Sequence, residues 1–272
     1  MRGLLVLAAA AGCVFAAPAS ARLLDHHVFP DPGGDGAADI TQVTVASNGS
    51  GAITFVLTVA NREELGANEY AFVLIDSDLN PATGQAPNGV DYALQLEGEG
   101  AALFRWDGTQ FVDSGSATVY GYAYNGLRVA VNRRDLGLTT NTLRFWVETQ
   151  VGDSVDDAPD GAFEEYELSS KPLTLSVAQA GAVAKTVKVG KRFVVGLQAH
   201  RSDLDEITSA GRVRCAAKFG KRTVKVQTVF PEDVAICTGI APKLAKGKTI
   251  KVTLTLELDG ARATRTIPVK IR

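Results

Sequence analysis

Methionine, tryptophan and cysteine are scarce in this 272-residue chain, with one Met, two Trp and three Cys. Met1 is the sole methionine, so a haem held by methionine and histidine has no ligand pair in the body of the protein. The three histidines are His26, His27 and His200, and no G-x-S-x-G, H-E-x-x-H or metal-spaced Cys/His set accompanies them. The usual nucleophilic and zinc hydrolases are therefore without sequence support. Paired carboxylates for glycoside cleavage need a separation of roughly 5–9.5 Å, which sequence spacing cannot show. The chain is expected to be non-catalytic, with a glycan-active enzyme as the distant alternative.

Lysine is missing from residues 22–170, where 23 Asp and Glu face 7 Arg, a net of −16; residues 171–272 carry 7 acids against 20 Lys and Arg, a net of +13. The change at Ser169-Ser170-Lys171-Pro172 predicts a boundary between an acidic domain, 22–170, and a basic one, 171–272, each long enough to bury its own core. Residues 1–21 read as a signal peptide: Arg2 starts it, Leu4 to Ala17 are apolar, and Ala19-Ser20-Ala21 is an A-x-A cleavage signature. Ala10-Ala11-Gly12-Cys13 loosely resembles a lipobox, leaving a lipid anchor through Cys13 as the alternative. Beyond residue 21 no apolar run approaches the roughly 20 residues of a membrane span. Export makes nucleic acid an unsuitable partner despite the basic half. It also permits a disulfide between Cys215 and Cys237, two buried thiols being the other reading.

What is present is alternation. Val43-Thr44-Val45, Ile53 to Val59, Leu127 to Val131 and Leu143 to Val147 alternate apolar and polar residues, and Asn48-Gly49, Asp107-Gly108 and Asn125-Gly126 are hairpin dipeptides. No convincing amphipathic helix appears. The fold class is all-β: two β-sandwich domains, the second with about seven short strands and one cysteine pair, as in immunoglobulin-like domains. A two-residue turn at Asn125-Gly126 sets Tyr124, Tyr122 and Tyr120 opposite Leu127, Val129 and Val131. That favours a core face for the tyrosines over an aromatic platform for a ligand. Trp146, inside an apolar strand, is expected in the core, whereas Trp106, beside the Asp107-Gly108 turn, is a candidate for exposure.

The run from Ile75 to Tyr92 follows an apolar strand and sets Asp76, Asp78 and Asn80 at alternate positions. Oxygen-rich loops of this kind suit Ca²⁺, which takes six to eight oxygens at about 2.3–2.6 Å. An EF-hand is excluded, because Pro81 and Pro87 stand where that loop needs Gly and Glu. A different loop would need a distant carboxylate: Asp91, one from Asp31 to Asp39, or one from Asp153 to Asp160. The competing reading is that these are turn residues capping their own backbone.

The ordered set Asp31-Pro32, Asp35, Asp39-Ile40, then Ile75 to Gly84, Gly89 to Tyr92, Arg105 to Gly108, Asp135 to Gly137 and Asp157 to Asp160 resembles the β-sandwich domains related to family-9 carbohydrate-binding modules and DOMON-like domains. The resemblance spans about residues 25–168. It implies a jelly-roll-like sandwich, structural Ca²⁺ at Asp76, Asp78 and Asn80, and sugar or small-ligand binding between aromatic rings. Trp106, Phe111 and Tyr122 are the ring candidates, and Asp91 completes the metal set. The second half is similar to small basic bacterial immunoglobulin-like domains, on Val213-Arg214-Cys215, Cys237 and Ala245 to Lys248. Together these readings predict a calcium-stabilised secreted protein that binds extracellular polysaccharide or cell-wall polymer. The alternative is a surface protein whose Lys185, Lys188, Lys191, Arg192, Lys218, Lys221, Arg222 and Lys225 contact anionic cell-wall polymer. Docking of the basic half on the acidic one competes with that.

Overall fold

The computed structural model describes residues 26–34, 38–60, 64–98, 100–116, 118–123, 126–160, 163–231 and 233–272, and for 119–123 the backbone alone. The signal segment and Cys13 lie outside the described residues. The first twelve strands are β1 (His26–Pro30), β2 (Ile40–Ser47), β3 (Ala52–Val59), β4 (Glu69–Asp76), β5 (Tyr92–Glu97), β6 (Gly100–Trp106), β7 (Phe111–Asp113), β8 (Val119–Ala123), β9 (Gly126–Asn132), β10 (Thr142–Val151), β11 (Ser154–Ala158) and β12 (Glu164–Glu167). They form a five-stranded sheet, β1-β2-β3-β9-β8, and a seven-stranded sheet, β11-β10-β4-β5-β6-β7 with β12 also on β10.

Strand period explains the layering. In β10, Leu143, Phe145 and Val147 are fully buried while Arg144, Trp146 and Glu148 are only partly covered. Phe145 meets Phe29 and Phe55 edge-on at 5.0 and 5.5 Å, joining the two sheets through their inner faces. Around these rings Ile40, Val73, Leu94, Leu103 and Val129 complete one core.

The β8–β9 hairpin is paired two residues away from the expected register. Tyr122 stands opposite Leu127, Tyr120 opposite Val129, and Ala123 opposite Gly126, so Gly126 belongs to the strand and not to the turn. A Cβ on Gly126 would lie 1.9 Å from the Leu57 carbonyl oxygen, so this position must pack as bare backbone against β3. A shift of two preserves which residues share a face.

The remaining strands are β13 (Leu175–Ala182), β14 (Thr186–Val187), β15 (Arg192–Arg201), β16 (Glu206–Ile207), β17 (Arg212–Phe219), β18 (Arg222–Val224), β19 (Val226–Val229), β20 (Ala235–Ile240), β21 (Thr249–Leu258) and β22 (Ala261–Ile271). They make a second sandwich from the sheets β13-β15-β20-β19, with β16 on β15, and β14-β22-β21-β17-β18. Its core, including Phe193, Leu197, Val252 and Leu254, is separate from the first. Cys215 on β17 and Cys237 on β20 are bonded across the two sheets with a Cα separation of 6.1 Å, an immunoglobulin-like arrangement. The β21–β22 hairpin turns at Asp259 and Gly260, and both residues have positive φ.

The two sandwiches touch through a few specific polar contacts. Arg128, buried on β9, pairs with Glu206 and donates to the Ser209 hydroxyl at 3.1 Å. The Asn48 amide donates to Asp203 at 3.1 Å, and Gly49 N–H donates to the Lys171 carbonyl at 2.6 Å. Asp203 is also gripped by Arg201 at 2.6 and 2.7 Å. Burial alone would raise the Asp203 pKa, but the Arg201 and Asn48 hydrogen bonds outweigh it and hold the carboxyl below its ordinary value. The sign of the central pair is reversed relative to the bulk charges: the acidic half supplies the arginine and the basic half the glutamate.

Two outcomes follow from this arrangement. Replacing Cys215 and Cys237 by alanine should cost about 3 kcal/mol in urea unfolding, because the bridge closes a 22-residue separation. Glu206→Ala should cost about 1–2 kcal/mol, a figure tempered by the partial exposure of Glu206. It should also broaden the range of inter-sandwich orientations seen by small-angle scattering. Unchanged stability and scattering would show that the Arg128–Glu206 pair does not hold the two halves.

Candidate ligand-binding face and acidic loop

Cross-strand register assigns each residue of the seven-stranded sheet to a face. Leu74 pairs with Ala93 and Trp146, Phe72 with Gln95 and Glu148, and Trp106 with Phe111. Phe104, paired with Ala93, is on the same side. Apart from the buried Ala93, these outward side chains are only half-buried, so the face exposes an aromatic surface interleaved with Gln95, Glu148 and Asp157. Trp106 and Phe111 meet edge-on at 5.2 Å across the β6–β7 hairpin. Trp146 donates its indole N–H to Asp157 at 3.2 Å and lies edge-on to Phe163 at 5.4 Å. Burial, followed by the charge of Asp157, pushes the Glu148 carboxyl above its ordinary pKa.

Trp146 therefore departs from the expected core position. The signal that places it outside was the alternation itself: Leu143, Phe145 and Val147 already occupy the inner face, so 146 must point away. Tyr122 is not part of this surface. It belongs to the five-stranded sheet, and its side chain lies outside the described residues.

At one end of the same face, β4 stops at Asp76 and β5 starts at Tyr92. The loop between them brings carboxylate oxygens of Asp76, Asp78 and Asp91 within 4.8 Å of one another. Gly89 has φ 71° and a Cβ there would lie 2.6 Å from Pro81 Cα, so the loop can fold back on itself only with glycine at this point. Asp76 is fully buried, accepts the Leu79 N–H at 2.7 Å and pairs with Arg144. Asp91 accepts the N–H and the hydroxyl of Ser77, each at 2.9 Å. Asp78 accepts the Asn80 N–H at 2.9 Å and the Thr83 hydroxyl at 3.0 Å. The Asn80 side-chain oxygen accepts the Ala82 N–H at 3.1 Å. The acids of this loop thus cap their own backbone and also converge on one point.

The donor set fits a hard divalent cation. Oxygens this close can share a coordination sphere of about 2.3–2.6 Å radius. Among the described residues, Arg144 pairs with Asp76 and no ion pair is made by Asp78 or Asp91. Burial, with the charges of Asp78 and Asp76 adding to it, raises the Asp91 pKa even though the Ser77 hydrogen bonds act the other way. The Asp91 carbonyl also accepts the Trp106 N–H at 2.8 Å, which ties the acidic loop to the aromatic hairpin.

The other acidic segments have local work. Asp156 accepts the Ile40 N–H at 2.7 Å, Asp31 the Asp160 N–H at 3.1 Å, and Asp39 the Gly34 N–H at 2.8 Å. In the second sandwich, three of the eight expected basic contact residues, Arg192, Arg222 and Lys225, line one cleft.

No protein-family model matches the chain, and no curated protein matches it. Among solved structures, a chimeric titin tandem functionalised with an exogenous peptide from decorin is 9% identical, covering 83% of this chain and 91% of its own, at a TM-score of 0.32. An I-band fragment of titin is 8% identical, covering 92% of this chain and 89% of its own, at a TM-score of 0.29. Similarity this low leaves the argument with the geometry of the chain itself.

Because the Asp91 pKa is raised on folding, its ionised form opposes the fold; the opposition is full above the raised value and gone below the ordinary value of 3.8. Asp91→Asn should therefore be at least as stable as the parent at pH 7 in EDTA, with the difference vanishing below that ordinary value. Added Ca²⁺ should raise the melting temperature of the parent and barely move the variant. Equal calcium responses in the two would remove Asp91 from the metal set.

Proposed function

We propose that the chain is an exported, non-catalytic binding protein that takes extracellular glycan on the outer face of its seven-stranded sheet, with structural Ca²⁺ at Asp76, Asp78 and Asp91. The observation that carries this reading is that the two tryptophans of the chain, Trp106 and Trp146, are on this one face together with half-exposed Phe72, Phe104 and Phe111. Sugar rings offer apolar C–H faces to aromatic rings and hydroxyls to carboxylates and amides. Binding sites of this kind combine apolar lining with a few placed polar groups, here Gln95, Glu148 and Asp157. A cation bound at the loop would fix the end of β5, and through the Asp91 carbonyl the backbone of Trp106, without touching the ligand. The disulfide between Cys215 and Cys237 suits an oxidising compartment. Among the described residues no helix is long and apolar enough to cross a membrane.

The test is a panel of polysaccharides and purified cell walls, read by intrinsic tryptophan fluorescence in Ca²⁺ and in EDTA. Binding should perturb the emission, survive high salt and weaken when calcium is removed. Trp106→Ala and Trp146→Ala should each weaken binding at least tenfold, on the scale of a lost aromatic contact at a binding surface. Glycan binding that both variants retain would overturn the reading. Binding that ignores EDTA but disappears in salt would move the function to the basic half.

A further inference from the structure

The second sandwich carries a feature that the glycan reading does not use. Where the chain leaves β18, at the edge of one sheet, and enters β19, at the edge of the other, Lys225 makes the crossover. Beside it opens a cleft of about 690 Å³, within the range of small-molecule sites. Phe219 and Val224 are buried beneath it, and Val226 is partly exposed. A second stretch of wall is built by the end of β20, which pairs with β19, and by the 3-10 turn Lys243–Ala245: Ile240 is 51% exposed and Leu244 62%, two large apolar side chains left facing water. Thr238 and Gly239 continue that wall. Gly239 matters to its shape, since a Cβ there would lie 2.5 Å from the Phe193 ring.

The charged groups of the cleft have one sign. Arg192, Arg222 and Lys225 line it, no carboxylate does, and none of the three makes an ion pair among the described residues. A fourth cation, Lys248, places its ammonium 5.7 Å from the centre of the Phe219 ring. An apolar trough with unpaired cations at its rim is complementary to a molecule with an apolar body and an anionic end. A neutral sugar would leave the exposed Ile240 and Leu244 unused, and a purely polyanionic polymer would leave the apolar floor dry of contacts.

We propose that this cleft binds a single-chain anionic amphiphile, its hydrocarbon chain lying over Phe219, Val224, Ile240 and Leu244 and its anionic head held by Arg192, Arg222 and Lys225. The site is independent of the glycan face, which belongs to the other sandwich.

The experiment uses the chain from residue 22 onward and dodecanoate, kept below its micelle concentration. Binding is followed by displacement of 8-anilinonaphthalene-1-sulfonate fluorescence and by calorimetry. Saturable one-to-one binding is expected, with dodecanoate preferred at least tenfold over dodecyltrimethylammonium. Leu244→Asp, at an exposed position, should weaken dodecanoate at least tenfold while leaving the melting temperature unchanged. The double change Arg222→Glu, Lys225→Glu should abolish the preference for the anion. Trp106→Ala should leave dodecanoate binding intact, which separates failure here from failure of the glycan reading. No saturable binding, equal binding of anionic and cationic amphiphiles, or binding untouched by both cleft variants would overturn the proposal. So would capture of acidic peptides in place of dodecanoate.

Discussion

A β-sheet has two faces and a sandwich buries only one of each, so every sheet in this chain carries a second face that must be solvated, covered or used. That constraint organises the molecule. In the first sandwich the outer face of the five-stranded sheet is partly covered by the second sandwich, which is why Thr54 and Arg128 are buried although they point away from the core. The outer face of the seven-stranded sheet has no such cover among the described residues, and its aromatic side chains are held half-exposed. Aromatic groups at that position cost solvation unless something occupies them. This is the physical basis for reading the face as a site.

The same end of that sheet concentrates the charge. Asp76 is buried at the last residue of β4 and is tolerable there because Arg144, directly opposite on β10, neutralises it. Asp91 and Asp78 then crowd a carboxylate that is already paired, and the surplus negative charge is what a divalent cation would resolve. The acidic loop and the aromatic hairpin are joined through main chain, so order in one is order in the other.

Much of this was legible from residue types, and the parts that were not have identifiable causes. Alternation marks the strands, the charge step at residue 171 lies between Leu168 of the first core and Val187 of the second, and of the two readings of Cys215 and Cys237 the structure contains the bond. Among the acids considered beside Asp76 and Asp78, the nearness of Asp91 was not readable from spacing, because it depends on the β4–β5 pairing. Trp146 was misassigned through its apolar neighbours, although its parity relative to Phe145 already placed it outside. The tyrosine hairpin slipped by two because Asn125-Gly126 is a strong turn signal, while the need for bare backbone beside Leu57 is a tertiary demand invisible in a dipeptide. The charge-reversed contact between the halves was hidden for a similar reason: summed charge predicts attraction at a distance, whereas contact is made by individual side chains.

The bond between Cys215 and Cys237 has one more consequence. Most of the floor of the basic cleft, from Phe219 to Gln227, lies in the stretch of chain that this bond encloses. The crossover between the sheets is therefore clasped at both ends before any guest arrives. Its disorder is surrendered once, when the chain is oxidised, and is not charged again to each binding event.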